Sequence, residues 1–133
     1  MKLESKIGRI ESSDERIYNF LTDFNNFKNL IPEDKVSNWQ SDENSCRFTV
    51  SPIGETGVKV IEKDPFKLIK LSSIDENKYN FIFWVQLKQV AENDTHIKLT
   101  LQTDINPMMQ MMAKKPLQEF LDKLVDQLTR YSF

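Results

Sequence analysis

Residues 95–107, THIKLTLQTDINP, mark the passage from a strand to a helix. In the first nine positions apolar side chains alternate with polar ones, which is the pattern of a strand with one buried face. Asn106 and Pro107 then form a helix start, because Asn caps the first turn and Pro suits the first helical position. This stretch therefore predicts an antiparallel strand followed directly by the C-terminal helix.

The segment from Met108 to Tyr131 is predicted to be one long helix of about 36 Å if it is helical throughout. Its apolar residues recur at helical spacing and mark one stripe. They are Leu117, Phe120, Leu121, Leu124, Leu128 and Tyr131. Pro116 lies inside the segment and should kink the helix or split it into two. Ten-residue strands reach about 33 Å, so such a helix can lie along a sheet.

The rest of the chain predicts more strands and two short helices. A first strand covers Lys2 to Glu11, and Ser12 with Glu15 forms a capping-box pattern before an amphipathic helix. A second helical turn follows and stops at Pro32. The strands expected in the middle are Val36–Gln40, Arg47–Val50, Thr56–Lys63, Phe66–Ser73 and Tyr79–Val90, separated by short polar turns. We therefore expect one α+β domain over residues 1–133, with a curved antiparallel sheet of about seven strands against the C-terminal helix.

Composition and charge exclude several classes of function. The 133 residues carry a net charge of −2, and neither half of the chain is strongly basic, so no nucleic-acid partner is expected. The longest wholly apolar run, Phe81 to Val85, has five residues, whereas a membrane span needs about 20. Residues 1–6 alternate in charge and show no apolar signal core, which predicts a cytoplasmic protein without an integral membrane segment.

Residues for catalysis or metal binding are scarce. Cys46 is the single cysteine, so there is no internal disulfide and a thiolate metal site is not expected. His96, the single histidine, lies on the polar face of its strand, which argues against a nucleophilic triad. We therefore predict no catalytic residue, no metal ligand and no cofactor. Glu62 is a possible polar anchor inside the fold, provided that Val58 and Val60 face inward and Ile61 does not displace it.

Several sequence features resemble the START-like proteins. This group, also called the SRPBCC superfamily, includes the Bet v 1-like helix-grip fold and the polyketide cyclase/dehydrase proteins. The similar features are Ile10–Ser13 with Glu15, Ile17-Tyr18, Phe20-Leu21, Asn26–Pro32, Asp64-Pro65 and Thr95. The phrase from Asn106 to Leu117 is similar to that of small bacterial members. The resemblance covers nearly the whole chain and implies a sheet that grips the C-terminal helix, with two short helices after the first strand.

The resemblance also implies a hydrophobic cavity between sheet and helix, since a straight helix cannot touch a concave sheet everywhere. The expected ligand-binding residues are Trp39, Phe48, Phe81, Phe83, Leu99, Leu101, Met108, Met112, Phe120 and Leu124. The preferred function is non-catalytic binding of a small hydrophobic or amphipathic ligand by a monomer or homodimer. The nine Phe residues could equally fill the gap themselves.

Two other functions stay open at this point. One is a polyketide cyclase/dehydrase-like enzyme, which would need convergent polar groups such as Glu62 or a Tyr inside the pocket. The other is a protein-interaction module without a ligand. It would use Trp84, which the alternation places on the convex face, or the methionine cluster at 108–112, where at least one side chain should be exposed.

Overall fold

The computed structural model describes residues 1–31, 36–50, 54–74, 80–131 and 133. The elements of this part of the chain are β1 Lys2–Glu4, β2 Gly8–Ile10, α1 Asp14–Leu21, α2 Phe24–Phe27, β3 Val36–Ser41, β4 Ser45–Val50, β5 Gly54–Asp64, β6 Leu68–Ser73, β7 Phe81–Ala91, β8 Asp94–Thr103 and α3 Pro107–Arg130. Pro32, the predicted turn at 75–78 and Tyr79 lie outside the described residues.

The strands form one antiparallel sheet in the order β1-β8-β7-β6-β5-β4-β3, with β2 also paired to β8. From β3 to β8 each strand pairs with the next one along the chain, which is the predicted meander. The fold class is therefore confirmed: an antiparallel sheet, two short helices after the first strand segment, and a long C-terminal helix.

The predicted first strand is divided into two short strands. Both β1 and β2 pair with β8, and the chain between them contains Ser5. The Ser5 N–H donates to the carbonyl of Leu99 at 2.8 Å, and the Leu99 N–H donates to Ser5 Oγ at 2.9 Å. The serine hydroxyl thus takes the place of a backbone acceptor, so that the edge of the sheet is kept where the strand is interrupted.

Helix α1 is capped one residue later than the sequence pattern indicates. The Oγ of Ser13 accepts from the Arg16 N–H at 3.2 Å, whereas Ser12 was the expected cap. The carbonyl of Ser12 accepts instead from the buried Thr95 hydroxyl at 2.8 Å. This contact with the sheet determines the position of Ser12 and leaves the capping role to Ser13.

Helix α3 begins as predicted, with Asn106 accepting from the Met109 N–H at 2.8 Å and Pro107 in the first turn. Pro116 does not split it, because the 24 residues from Pro107 to Arg130 form a single helix. The carbonyl that loses its partner belongs to Met112, an exposed residue, and water can bond it there. No helix within the described ranges combines the length and apolar character needed to cross a membrane.

The helix lies closest to the sheet at β1, β2 and β8. At Gly8 the approach is so close that a Cβ atom would lie 2.5 Å from Val125 Cγ1 and 2.9 Å from Thr129 Cγ2. The absence of a side chain at Gly8 therefore lets α3 pack directly on the strand. This contact positions the helix against one side of the sheet and leaves space beneath its middle turns.

Candidate ligand cavity

A cavity of about 110 Å³ lies between helix α3, helix α2 and the inner face of the sheet. Four residues of α3 line it on one side, and the rest come from α2, from the six strands β3 to β8 and from two loop positions. The lining residues are Phe24, Phe27, Ile31, Trp39, Cys46, Phe48, Thr56, Val58, Leu71, Phe81, Phe83, Leu101, Thr103, Ile105, Leu117, Phe120, Leu121 and Leu124. This space lies on the face of the sheet that helix α3 covers.

The lining is apolar and rich in aromatic rings. Six of the nine phenylalanines of the chain face this space, and they leave it partly empty. Among the described lining residues there is no carboxylate, no imidazole and no basic side chain. The walls therefore offer dispersion contacts and apolar surface, and they offer no group that would compensate a buried ligand charge.

A β-bulge in β3 aims Trp39 at the cavity. Ser37 pairs with Thr49 and Gln40 pairs with Arg47, so two residues, Asn38 and Trp39, lie opposite one on β4. Asn38 has a left-handed backbone with φ of 56°, which asparagine tolerates better than most residues. The extra residue changes which side chains of the strand face inward, and it brings Trp39 to the lining.

Seven of the ten expected ligand-binding residues lie in this lining, and three do not. Leu99 is fully buried on β8, under the contact with Ser5 described above, and lies outside the lining. Met108 and Met112 lie on the exposed side of the first turns of α3, where 74% and 57% of their surface is accessible. These turns precede the part of the helix that faces the cavity, which begins at Leu117.

Glu62 lies away from the cavity, on the outer face of the sheet. Val60 pairs with Leu71 but Glu62 pairs with Lys70, so Ile61 is an extra residue in β5. This bulge reverses the alternation, and Glu62 emerges exposed beside Lys70 instead of following Val60 inward. The expected polar anchor is therefore not a lining residue.

Sequence reasoning missed the contribution of α2. Phe24 and Phe27 lie at its two ends, both are buried, and their rings meet at 5.3 Å between centroids. The signal was present in the sequence, because two aromatic residues three positions apart share one face of a helix. Phe24 was expected on the first helix and Phe27 in the second helical turn, and neither was expected among the ligand-binding residues.

Polar groups in the lining are few. The Thr103 hydroxyl donates to the carbonyl of Asn80 at 3.1 Å. Cys46 is buried, and its desolvation, together with the nearby charge of Asp42, raises the pKa of the thiol to about 12. The sulfur is therefore protonated at neutral pH and acts as a small apolar group with a weak donor.

The two remaining sequence candidates lie outside the cavity. His96 is half-buried on the outer side of β8, between the buried Thr95 and Ile97. Trp84 is half-buried on the convex face, where the Lys70 ammonium lies 5.8 Å from its ring centroid. Part of the apolar surface of Trp84 is thus covered by a residue of the neighbouring strand β6.

Comparison with known proteins gives matches at the level of three-dimensional structure. No protein-family model and no curated protein sequence matches this chain. The solved structures it resembles include a START superfamily protein from Mycobacterium smegmatis, with 15% identity, a TM-score of 0.65, and coverage of 96% of this chain and 99% of that one.

Two further structures extend this likeness. A norcoclaurine synthase point mutant from Thalictrum flavum, in complex with a transition-state analogue, gives 13% identity and a TM-score of 0.66 over 96% of this chain and 94% of that one. An Aha1 dimer from Colwellia psychrerythraea gives 22% identity and a TM-score of 0.61 over 98% and 97%. At these identities the likeness concerns the path of the backbone.

Proposed function

We propose that this chain, which has the START-like helix-grip fold, binds a small uncharged apolar molecule between its sheet and helix α3. The observation that carries this proposal is the lining of the cavity. Its walls are aromatic and aliphatic, and they enclose space that the side chains of the protein do not fill. Removing apolar ligand surface from water contributes roughly 25 cal/mol per Å² before the costs of association.

The size of the cavity limits the ligand. A cavity of about 150 Å³ lined by Leu, Ile and Phe is enough to bind benzene. The space of about 110 Å³ is smaller than this, so a single ring requires a slight outward movement of the walls and a larger molecule requires more. Phe48, Phe81 and Phe120 are only partly buried, so their side chains are the part of the wall that can move at least cost.

Binding without catalysis is favoured over a cyclase/dehydrase-like reaction. Proton transfer needs a positioned acid or base within hydrogen-bond reach of the substrate. Among the described lining residues none is an acid or a histidine, and Glu62 lies on the opposite face of the sheet. The likeness to norcoclaurine synthase, at 13% identity, supports the fold alone.

Titration with two matched small molecules tests the proposal. Toluene, followed by ¹H–¹⁵N NMR spectra, should give saturable shifts at residues of the lining such as Leu71, Leu101 and Leu121. Benzoate, which has the same ring with a charged group, should give none, because its charge would be buried without a partner. Absence of saturable shifts with toluene would contradict the proposal. Native mass spectrometry of the purified protein then shows whether a ligand is carried from the cell.

Oligomeric state and location complete the proposal. We propose a monomer or homodimer in the cytoplasm, as expected from the sequence. Light scattering at several protein concentrations distinguishes the two assemblies, and fractionation of cells tests the location.

A further inference from the structure

The indole nitrogen of Trp39 is an unpaired donor in the cavity wall. Its Nε1 atom is buried, and among the described residues no acceptor bonds it. A buried tryptophan N–H normally finds a partner, because leaving it unbonded costs free energy. The ring itself lines the cavity, so a ligand in this space would contact the side chain that carries the unpaired donor.

The position of Trp39 depends on a local distortion of the strand. The bulge needs Asn38 in a left-handed conformation, and such a conformation is unfavourable for any residue with a Cβ atom. A phenylalanine at position 39 would stack on Phe48 equally well without an unpaired donor. Packing alone therefore does not explain why this wall carries an indole.

Three other polar side chains line the cavity, namely Thr103, Cys46 and Thr56. The Thr103 hydroxyl already donates its hydrogen to a backbone carbonyl. The Cys46 thiol is a weak donor. Thr56 is only half-buried, whereas the Trp39 nitrogen is a fully buried donor of the described lining that is left without an acceptor.

We propose that the Trp39 N–H donates a hydrogen bond to an oxygen of the bound ligand. The ligand class is then a small uncharged molecule with an apolar ring and one carbonyl, ether or hydroxyl oxygen. This inference rests on the proposed function, since it names the polar contact made inside the same cavity. The ring would lie among the phenylalanines, with its oxygen toward the Trp39–Phe48 end.

Acetophenone and α-methylstyrene form a suitable pair of probes. They have the same shape, and only the first carries an oxygen acceptor in place of a methylene group. Dissociation constants of both are measured by NMR titration for the wild-type protein, for Trp39→Phe and for the control Trp84→Phe, which changes the convex face. A substitution that alters the shape of the cavity changes the affinity for both probes alike. The ratio of the two dissociation constants within each protein therefore isolates the contribution of the oxygen.

The wild-type protein and Trp84→Phe should show the same preference for acetophenone, and Trp39→Phe should reduce it by about tenfold. In the wild-type protein the NMR signal of the Trp39 indole proton should move downfield with acetophenone and not with α-methylstyrene. This measurement requires no protein variant. Trp84 provides the second indole signal as an internal reference.

The possible outcomes distinguish the hydrogen bond from Trp39 from ligand binding as such. If both probes bind but their ratio is the same in the wild-type protein and in Trp39→Phe, the inference is overturned and ligand binding stands. If the Trp39 indole proton does not respond to acetophenone that is bound in the cavity, the inference is also overturned. If neither probe binds, the proposed function fails, and the inference fails with it.

Discussion

The Trp39 indole stacks on the Phe48 ring, with centroids 5.4 Å apart and planes inclined by 20°. The two residues belong to neighbouring strands and meet at the bulge of β3, where Asn38 and Trp39 lie opposite Phe48. The stack forms the wall of the cavity at this end of the sheet. The interaction energy between the two rings therefore contributes to the stability of this wall.

A double-mutant cycle measures this contact. Trp39→Leu, Phe48→Leu and the double variant should show a coupling of about 0.5–1.5 kcal/mol in the free energy of unfolding, as expected of an aromatic pair. Urea denaturation gives the three values. Purely additive losses would mean that the rings lie side by side without stabilising one another.

The left-handed conformation of Asn38 gives a second prediction. Asn38→Val should lower the free energy of unfolding by about 1–3 kcal/mol, because a β-branched residue is strained at this φ of 56°. Asn38→Gly should be neutral or stabilising. The control Ser37→Val, at an exposed neighbour outside the left-handed region, should change stability little. Equal effects of the two valine substitutions would contradict this account of the bulge.

Filling the cavity should abolish ligand binding while the fold is kept. Val58 lines the cavity from β5, opposite Cys46, so Val58→Phe places a ring in the empty space. The affinity for toluene should fall at least tenfold, and stability should change by no more than about 1–3 kcal/mol. Val90→Phe makes the same substitution at an exposed position of β7 and should bind toluene normally. Unchanged affinity in Val58→Phe would place the toluene elsewhere.

The Cys46 thiol gives a prediction on pH. Burial raises its pKa from the ordinary 9.0 to about 12, so between these values the unfolded chain loses a proton that the folded protein keeps. The free energy of unfolding should therefore fall as pH rises above about 9, by up to about 1.4 kcal/mol per pH unit from this group. Cys46→Ala lacks this part of the fall.

The comparison is made by urea denaturation of both proteins from pH 7 to 11. The tyrosines titrate in the same range, but they are present in both proteins and cancel in the difference. If the free energy of unfolding falls equally with pH in the wild-type protein and in Cys46→Ala, the thiol titrates alike in the folded and unfolded states. It would then be accessible to water in the folded protein.

The exposed methionines provide the fifth prediction. With hydrogen peroxide, Met111, Met108 and Met112 should be oxidised before the partly buried Met109. Because none of them lines the cavity, the oxidised protein should bind toluene with unchanged affinity. Peptide mass spectrometry gives the order of oxidation. A loss of affinity that follows oxidation of Met108 or Met112 would support their expected part in ligand binding.

The parts of the fold that local chemistry determines could be predicted from the sequence. The alternation in β8 and the Asn106–Pro107 start of α3 each depend on neighbouring residues, and both are present as expected. The meander follows from short polar turns between strands. The aromatic residues of β4 and β7 lie in the cavity wall because their strands keep a regular alternation up to the lining positions.

The structure differs from the sequence-based predictions where pairing between strands overrides the local sequence pattern. Ile61 is an extra residue in β5, and the resulting shift reverses the side to which Glu62 points. No residue in the stretch itself marks the bulge, because it is defined only against the partner strand. The contact of Thr95 with the Ser12 carbonyl is likewise a long-range bond, and it moves the cap of α1 to Ser13.

Gly8 determines where helix α3 is anchored on the sheet. A methyl group there would meet both Val125 and Thr129, so the C-terminal half of α3 is clamped to the sheet with no slack. The Trp39–Phe48 pair lies on β3 and β4, at the opposite end of the strand order from β1 and β2, which α3 contacts. The missing side chain at Gly8 thus anchors the helix at one end of the sheet, whereas at the other end the stacked aromatic pair supplies the wall.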